Sequence, residues 1–234
     1  MCYKEDVPKV VDPDTRRRDV VDAAFQVIHR DGLEHASLRA IADQAGLAVG
    51  SVRHYFATHD EIMTFAMQSL SERIGDRMMD RLAGVRAEFG TTGPGASTPA
   101  GRDLIVAMLA ELLPLDEQRH FEADVWLSFV TAARNRVALR PYAAAMHDGI
   151  RAIVRRVLDA GDRRGVLAVT DVDLEVERLA AVLDGLTLAM ILPPATLTAR
   201  TVRDVVRVHI DGLARNEPRP VQKADDASRY EDAT

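Results

Sequence analysis

The sequence predicts an all-α protein. Apolar residues recur at three- and four-residue spacing over most of its 234 residues. Asp, Ser or Thr precede these stretches, and Gly or Pro follow them, as helix starts and stops require. No alternating apolar–polar run flanked by hairpin turn residues competes with that reading.

Taken in order, residues 1–13 read as a mobile arm. Asp12 or Asp14 can cap a first helix with Val20, Val21, Ala24, Phe25 and Ile28 on one face and Gly32 as its stop. Ser37 is placed to cap a short second helix carrying Leu38, Ile41, Ala42 and Ala45, with Gly46 ending it. A third short helix is expected from Ala48 to Tyr55. Thr58 and Glu61 have capping-box spacing, so a long fourth helix starts there and extends to about Arg86 or Glu88. The segment GTTGPGAST, 90–98, is a loop by composition. Helices are then expected over 102–113, 116–135, 138–164, 172–192 and 199–215, about nine in all; Gly165 and Pro193-Pro194 are stops, and 216–234 is a disordered tail. The domain reading is 14–57 for a small N-terminal bundle and 58–215 for a larger helical domain, with no internal repeat.

Composition narrows the function. No run of eighteen apolar residues suggests a membrane span. The charged start MCYKEDVPKVVDPDTRRR does not read as a secretory signal. A single cysteine, Cys2, leaves no disulfide framework or cysteine zinc site, so a cytoplasmic protein is expected. A net charge of −6 argues against indiscriminate polyanion binding but not against a local basic patch. His120 with Glu117 or Asp124 has helical spacing, yet no third metal ligand accompanies it. There is no P-loop, Gly-x-Ser-x-Gly elbow or GxGxxG motif after a strand, so neither an enzyme nor a cofactor or metal is expected.

The stretch GLAVGSVRHYF, 46–56, carries the sharpest question. On its own it reads first as a turn and helix in an ordinary bundle. The alternative is helix-turn-helix logic, in which the second helix braces and the third enters the major groove. Leu47, Val52 and Phe56 would face inward, leaving Val49, Gly50, Ser51, Arg53 and His54 outside. Arg53 has the chemistry to read a guanine edge with two hydrogen bonds, and Val49 to touch a thymine methyl. Gly50 permits close backbone approach, while Ser51 and Tyr55 offer hydroxyls to phosphates.

From Arg16 to Met63 the sequence resembles the TetR family of bacterial repressors: DAAFQVIHRDG, then SLRAIADQAGLAVGSVRHYFATHDEIM. SVRHYF is most similar to the BetI-type branch; WLSFVTAARNR, VLDGLTLAMIL and LTARTVRDVVRVHIDGL resemble its C-terminal domain more weakly. The resemblance implies a homodimeric repressor of a double-stranded DNA operator, controlled by a small-molecule effector. DNA contact would fall to Arg16 and Arg17, to Ser37 and Arg39, to Val49, Gly50, Ser51, Arg53, His54 and Tyr55, and to His59. Arg16–Arg18 read equally as a solvated helix start. Two positions depart from the family pattern: Arg53 stands where Tyr is frequent, and His59 where Lys is common. Residues 1–56 hold eight Lys or Arg against nine Asp or Glu, so binding must rest on placement and be salt-sensitive.

The larger domain is expected to hold the ligand pocket and the dimer contact. Met108, Leu112, Trp126, Phe129, Met146 and Ile150 are pocket candidates, with Leu183, Thr187 and Met190, though each is also an ordinary core residue. They suggest a mainly apolar cavity with few polar anchors. Asp184 stands out within AAVLDGLTLAMIL, because a buried carboxylate needs a partner: an arginine or helix end, or a cationic ligand group such as a choline-like amine. Leu179 and Leu186 on one helix and Val202, Val206, Ile210 and Leu213 on the next suggest a four-helix dimer contact; a monomeric core is the alternative. A different function class also stands open, a helical ligand-binding or partner-interaction module without DNA affinity.

Overall fold

The computed structural model describes residues 12–89, 99–193 and 197–214; most of the expected arm, the 90–98 loop and the tail from 216 lie outside them. The described residues form nine α-helices: α1 Pro13–Asp31, α2 Leu38–Gln44, α3 Val49–Tyr55, α4 His59–Phe89, α5 Pro99–Ala110, α6 Glu117–Ala133, α7 Arg140–Arg163, α8 Val172–Ile191 and α9 Ala199–Gly212. Short 3-10 turns, Leu33–His35 and Val137–Leu139, precede α2 and α7. Among the described residues the one β-bridge joins Leu167 to Ala214.

Local chemistry sets most boundaries. Asp12 caps α1 by accepting from the Thr15 amide at 3.3 Å, and Pro13 follows it in the first turn, where a missing N–H costs nothing. Ser37, Asp116, Asp171 and Thr198 cap α2, α6, α8 and α9 in the same way. At α4 the Glu61 amide donates to Thr58 Oγ1 at 3.1 Å, while the Glu61 carboxylate accepts from the Ala57 amide at 2.8 Å, a capping box displaced by one residue at its return bond. Gly46, at φ +66°, ends α2 in a Schellman motif: Gly46 N–H donates to Asp43 O and Leu47 N–H to Ala42 O.

Two hydrophobic cores result. The first joins Phe25 and Ile28 of α1, Ile41, Val52, Phe56 and Met63 to Val125 and Phe129 of α6, and reaches Met146 of α7. The second joins Leu109 and Leu113, Val154 and Leu158, and Leu167 to Leu179, Leu183, Val202, Val206 and Ile210. Each fully buried side chain of this size stabilises the fold by about 1.5–3 kcal/mol. The first core does not stop at the expected 57/58 boundary, since Phe56 and Phe65 stack edge-on at 5.6 Å and α6 packs on α1. His29 on α1 extends this seam, lying 4.9 Å from the Phe121 ring and 3.2 Å from Asp124 Oδ2.

The expected dimer residues face the other way. Leu179, Val202, Val206 and Ile210 are fully buried in the second core, Leu186 is buried, and Leu213 packs against it. An apolar stripe identifies the buried face of a helix but not the body that buries it, and here that body is the chain itself. The opposite face of α9 leaves Val205 and Val208 exposed.

Candidate DNA-reading face and ligand cavity

The α3 helix is seven residues, about 10 Å long, and like any α-helix about 10–12 Å across it can enter a major groove about 12 Å wide. Val52 is its one fully buried residue; Leu47, Val49 and Tyr55 pack partly against the first core. Gly50, Ser51, Arg53 and His54 are exposed side by side, and Arg53 has no ion-pair partner among the described residues. Tyr55 is half-buried and meets the His54 ring edge-on at 5.2 Å. Ser37 spends its lone pair on the Ala40 amide but remains exposed, and Arg39 is 86% exposed with Asp43 3.9 Å away. Arg16 is held 3.5 Å from Asp19 at the start of α1.

Two expected phosphate contacts are committed elsewhere. The Arg17 guanidinium lies over the Phe56 and Phe65 rings, 4.7 and 4.6 Å from their centroids, with Glu61 Oε1 at 3.7 Å; its buried Nε makes no hydrogen bond. Arg17 therefore clamps α1 to the α3–α4 corner. His59 is half-buried, and its Nε2 donates to the Ala36 carbonyl at 2.6 Å, which ties the start of α4 to the chain preceding α2. The spacing of a charged residue in sequence does not show whether an aromatic face or a carbonyl lies within its reach.

The bundle contains a cavity of about 60 Å³ between α4, the end of α5, α6, α7 and α8. Leu112, Trp126, Met146, Ile150, Leu183, Asp184 and Thr187 line it. The other expected pocket residues lie elsewhere: Phe129 is closed inside the first core, Met190 packs against the second, and Met108 lines a separate cavity. Four charged residues that the apolar pattern did not suggest also line the cavity: Arg77, Glu111, Arg119 and Glu122. Arg77 lies on α4, Glu111 just past α5, and Arg119 and Glu122 one turn apart on α6, so their pairing across elements is not announced by spacing.

These four charges compensate one another. Arg77 Nη1 lies 2.8 Å from Glu122 Oε2, an ion pair off the hydrogen-bond line, and Gln118 donates to Glu122 Oε1 at 3.0 Å. Arg119 Nη1 meets Glu111 Oε2 at 3.1 Å and donates to the Ala110 carbonyl. Asp184 remains, making no hydrogen bond or ion pair among the described residues. Burial pushes its carboxyl above the usual carboxylate range, and the charges of His147 and Arg151 pull in the other direction without cancelling that effect. The lining thus carries one more carboxylate than guanidinium. Among the described residues no group of three His, Cys, Asp or Glu is placed to hold a metal, and no helix is long and apolar enough to cross a membrane.

Comparison with known proteins adds an independent line. Residues 20–64 match the family of bacterial regulatory proteins, tetR family, and residues 101–215 match the BetI-type transcriptional repressor C-terminal domain. The chain is 33% identical over 223 residues to the HTH-type transcriptional regulator PksA of Bacillus subtilis, covering 93% of this chain and 98% of that protein. It is similar to a transcriptional regulator from Rhodococcus sp. Rha1, with TM-score 0.67, 27% identity and coverage of 86% and 99%. A regulator from Saccharomonospora viridis, solved in complex with choline, shares the fold at TM-score 0.71 and 20% identity, with coverage of 87% and 100%.

Proposed function

Because the chain belongs to the TetR family of bacterial regulatory proteins and carries a BetI-type C-terminal domain, we propose that it is a homodimeric repressor released from its operator by a small cation. Family membership makes it a transcriptional regulator rather than an enzyme. The observation that carries the DNA-reading proposal is α3: one buried residue holds a short helix whose polar side, including an unpaired Arg53, lies open. Arg53 takes the base-reading role, with Val49, Gly50 and Ser51 beside it. His54, Tyr55, Ser37, Arg39 and Arg16 position the backbone.

Two copies related by a two-fold would set their α3 helices in successive major grooves, roughly 34–36 Å apart. The groove between α8 and α9 sets Val182, Val205 and Val208 beside Glu175, Arg178 and His209, and the exposed Val205 and Val208 support such pairing. The operator is then pseudo-palindromic, and the regulator works in the cytoplasm, where the chromosome is.

The effector binds beside Asp184. A partly desolvated carboxylate with no ion-pair partner among the described residues, in a cavity that Trp126 also lines, favours a cation. A volume of 60 Å³ holds only about four water-sized groups, so the effector has a compact charged head. Choline, the ligand of the Saccharomonospora neighbour, carries a compact cationic head and is the first compound to test. The effector must bind the released conformation more tightly than the DNA-bound one, or it shifts nothing. Leu70, Trp126 and Met146 belong to or pack against the core that carries α3 and also line the cavity, so a change in the cavity has a physical route to the head.

The test is selection of genomic fragments by purified protein across a salt series. The expected result is an enriched palindrome whose affinity falls steeply with salt. No enrichment at low salt would instead favour a ligand-binding module without DNA affinity. That second reading is motivated by the balanced charge of residues 1–56 and by two expected phosphate contacts, Arg17 and His59, committed to internal contacts.

A further inference from the structure

We propose that a second cavity, between α4, α5 and α7, binds an amphiphilic anion: one apolar chain ending in a single carboxylate or phosphate. This cavity has a volume of about 350 Å³, within the range of small-molecule sites, and shares no lining residue with the one at Asp184. Its walls are almost wholly apolar, with Leu82, Leu104, Ile105, Ile153 and Val157 among them. Met78, Met79 and Met108 add unbranched side chains that adapt to a flexible guest, and Met79 is 62% exposed although apolar.

The polar residues of this lining have one sign. Arg156 and Arg164 are the charged members among the described lining residues, with no Asp or Glu among those. Both are exposed, and neither side chain has a hydrogen bond or ion pair among the described residues. Three neighbouring arginines are engaged, Arg151 with Glu177, Arg155 with Asp173 and Arg207 with Asp103, while Arg163 is exposed but does not line the cavity. Arg156 and Arg164 stand about two helical turns, or about 12 Å, apart along the α7 side of the cavity. An apolar hollow rimmed by two unpaired guanidiniums matches a molecule with a greasy body and an anionic end. Arginine's fork accommodates carboxylate and phosphate oxygens in pairs. A cation would meet two like charges there and no carboxylate among the described lining residues. Gly161 lies on the same wall, and a Cβ there would come within 2.8 Å of Leu167 Cδ1 and 2.9 Å of Ile105 Cδ1, so that end of the cavity is closely packed.

The experiment is calorimetric titration of the full-length protein with decanoate, decyl phosphate, decanol and decyltrimethylammonium, each below its micelle concentration. One decanoate or decyl phosphate per chain should bind at least tenfold more tightly than the alcohol or the ammonium. The double variant R156Q/R164Q alters only exposed side chains and should remove that tenfold preference while leaving decanol unchanged. Gly75→Leu, which directs a side chain into the cavity from α4, should abolish binding of all four. Asp184→Asn should leave decanoate binding unaltered, which separates this site from the proposed cation site. Failure of both anions to bind, anion binding indifferent to the arginine change, or equal binding of the ammonium would overturn the proposal.

Discussion

The two hydrophobic cores are of similar chemistry but do different things. The first fuses the DNA-reading head to α6 and the start of α7, so the head has no independent interior. The second is confined to α4, α5 and α7–α9 with the chain between them, and none of its residues comes from α1, α2 or α3. The Asp184 cavity lies between the two, lined by Leu70, Trp126 and Met146 from one side and Leu113, Ile150 and Leu183 from the other. A regulator needs its reading head rigid and its sensing region responsive. Here rigidity comes from shared packing, and the proposed effector site lies among charges at the seam between the cores.

The largest expected effect would break the first core. Phe56→Ala removes a fully buried ring and should cost about 3–5 kcal/mol. If the core is continuous, thermal unfolding followed by circular dichroism stays a single transition at lower temperature; a separate early melting of the head would show that α6 is not part of it. Next is Arg53→Ala, on the exposed side of the same head. Operator discrimination in a gel shift should fall by about 1–3 kcal/mol, with stability unchanged within about 0.5 kcal/mol. Unchanged specificity would remove Arg53 from the reading role.

A smaller effect probes the clamp. Arg17→Met keeps an apolar stem but loses the guanidinium over Phe56 and Phe65, and should cost about 1 kcal/mol together with some operator affinity. Lysine should restore little of it, because a point charge does not stack as a plane does. Full restoration by Arg17→Lys would mean that charge alone matters.

The smallest change in stability is expected at the seam. With its folded pKa raised, the Asp184 carboxylate carries a penalty that is complete at neutral pH and fades as pH falls through that raised value. Asp184→Asn should therefore raise the melting temperature of the free protein at neutral pH, and the advantage should shrink on acidification. The same substitution should abolish choline binding, and in the parent protein cation affinity should decline as pH falls through that raised value. A variant less stable than its parent at neutral pH would show Asp184 to have a partner in the folded state.

Much of this was legible in the sequence where the determinants are local. Caps at Asp12 and Ser37, the turn at Gly46 and the pairing of Thr58 with Glu61 depend on neighbours within a few residues. The apolar periodicities of α1 and α9 likewise mark buried faces. What the sequence could not show was which partner each face or charge meets. The stripe Val202, Val206 and Ile210 turned inward rather than toward a second copy. Arg17 and His59 met aromatic rings and a carbonyl contributed by other elements. The charge pairs Arg77–Glu122 and Arg119–Glu111 join α4 to α6 and α6 to the end of α5, and a cavity is a property of the space left between such elements.

The thin anchoring of α3 has a consequence for how such a protein changes over time. Only Val52 is fully buried along that helix, with Leu47 and Phe56 closing its two ends. The positions between them that face outward contribute little to the interior, so Gly50, Ser51, Arg53 and His54 form an interchangeable cassette. On the proposed reading role, replacing those four residues would change the target site while the rest of the molecule keeps its packing.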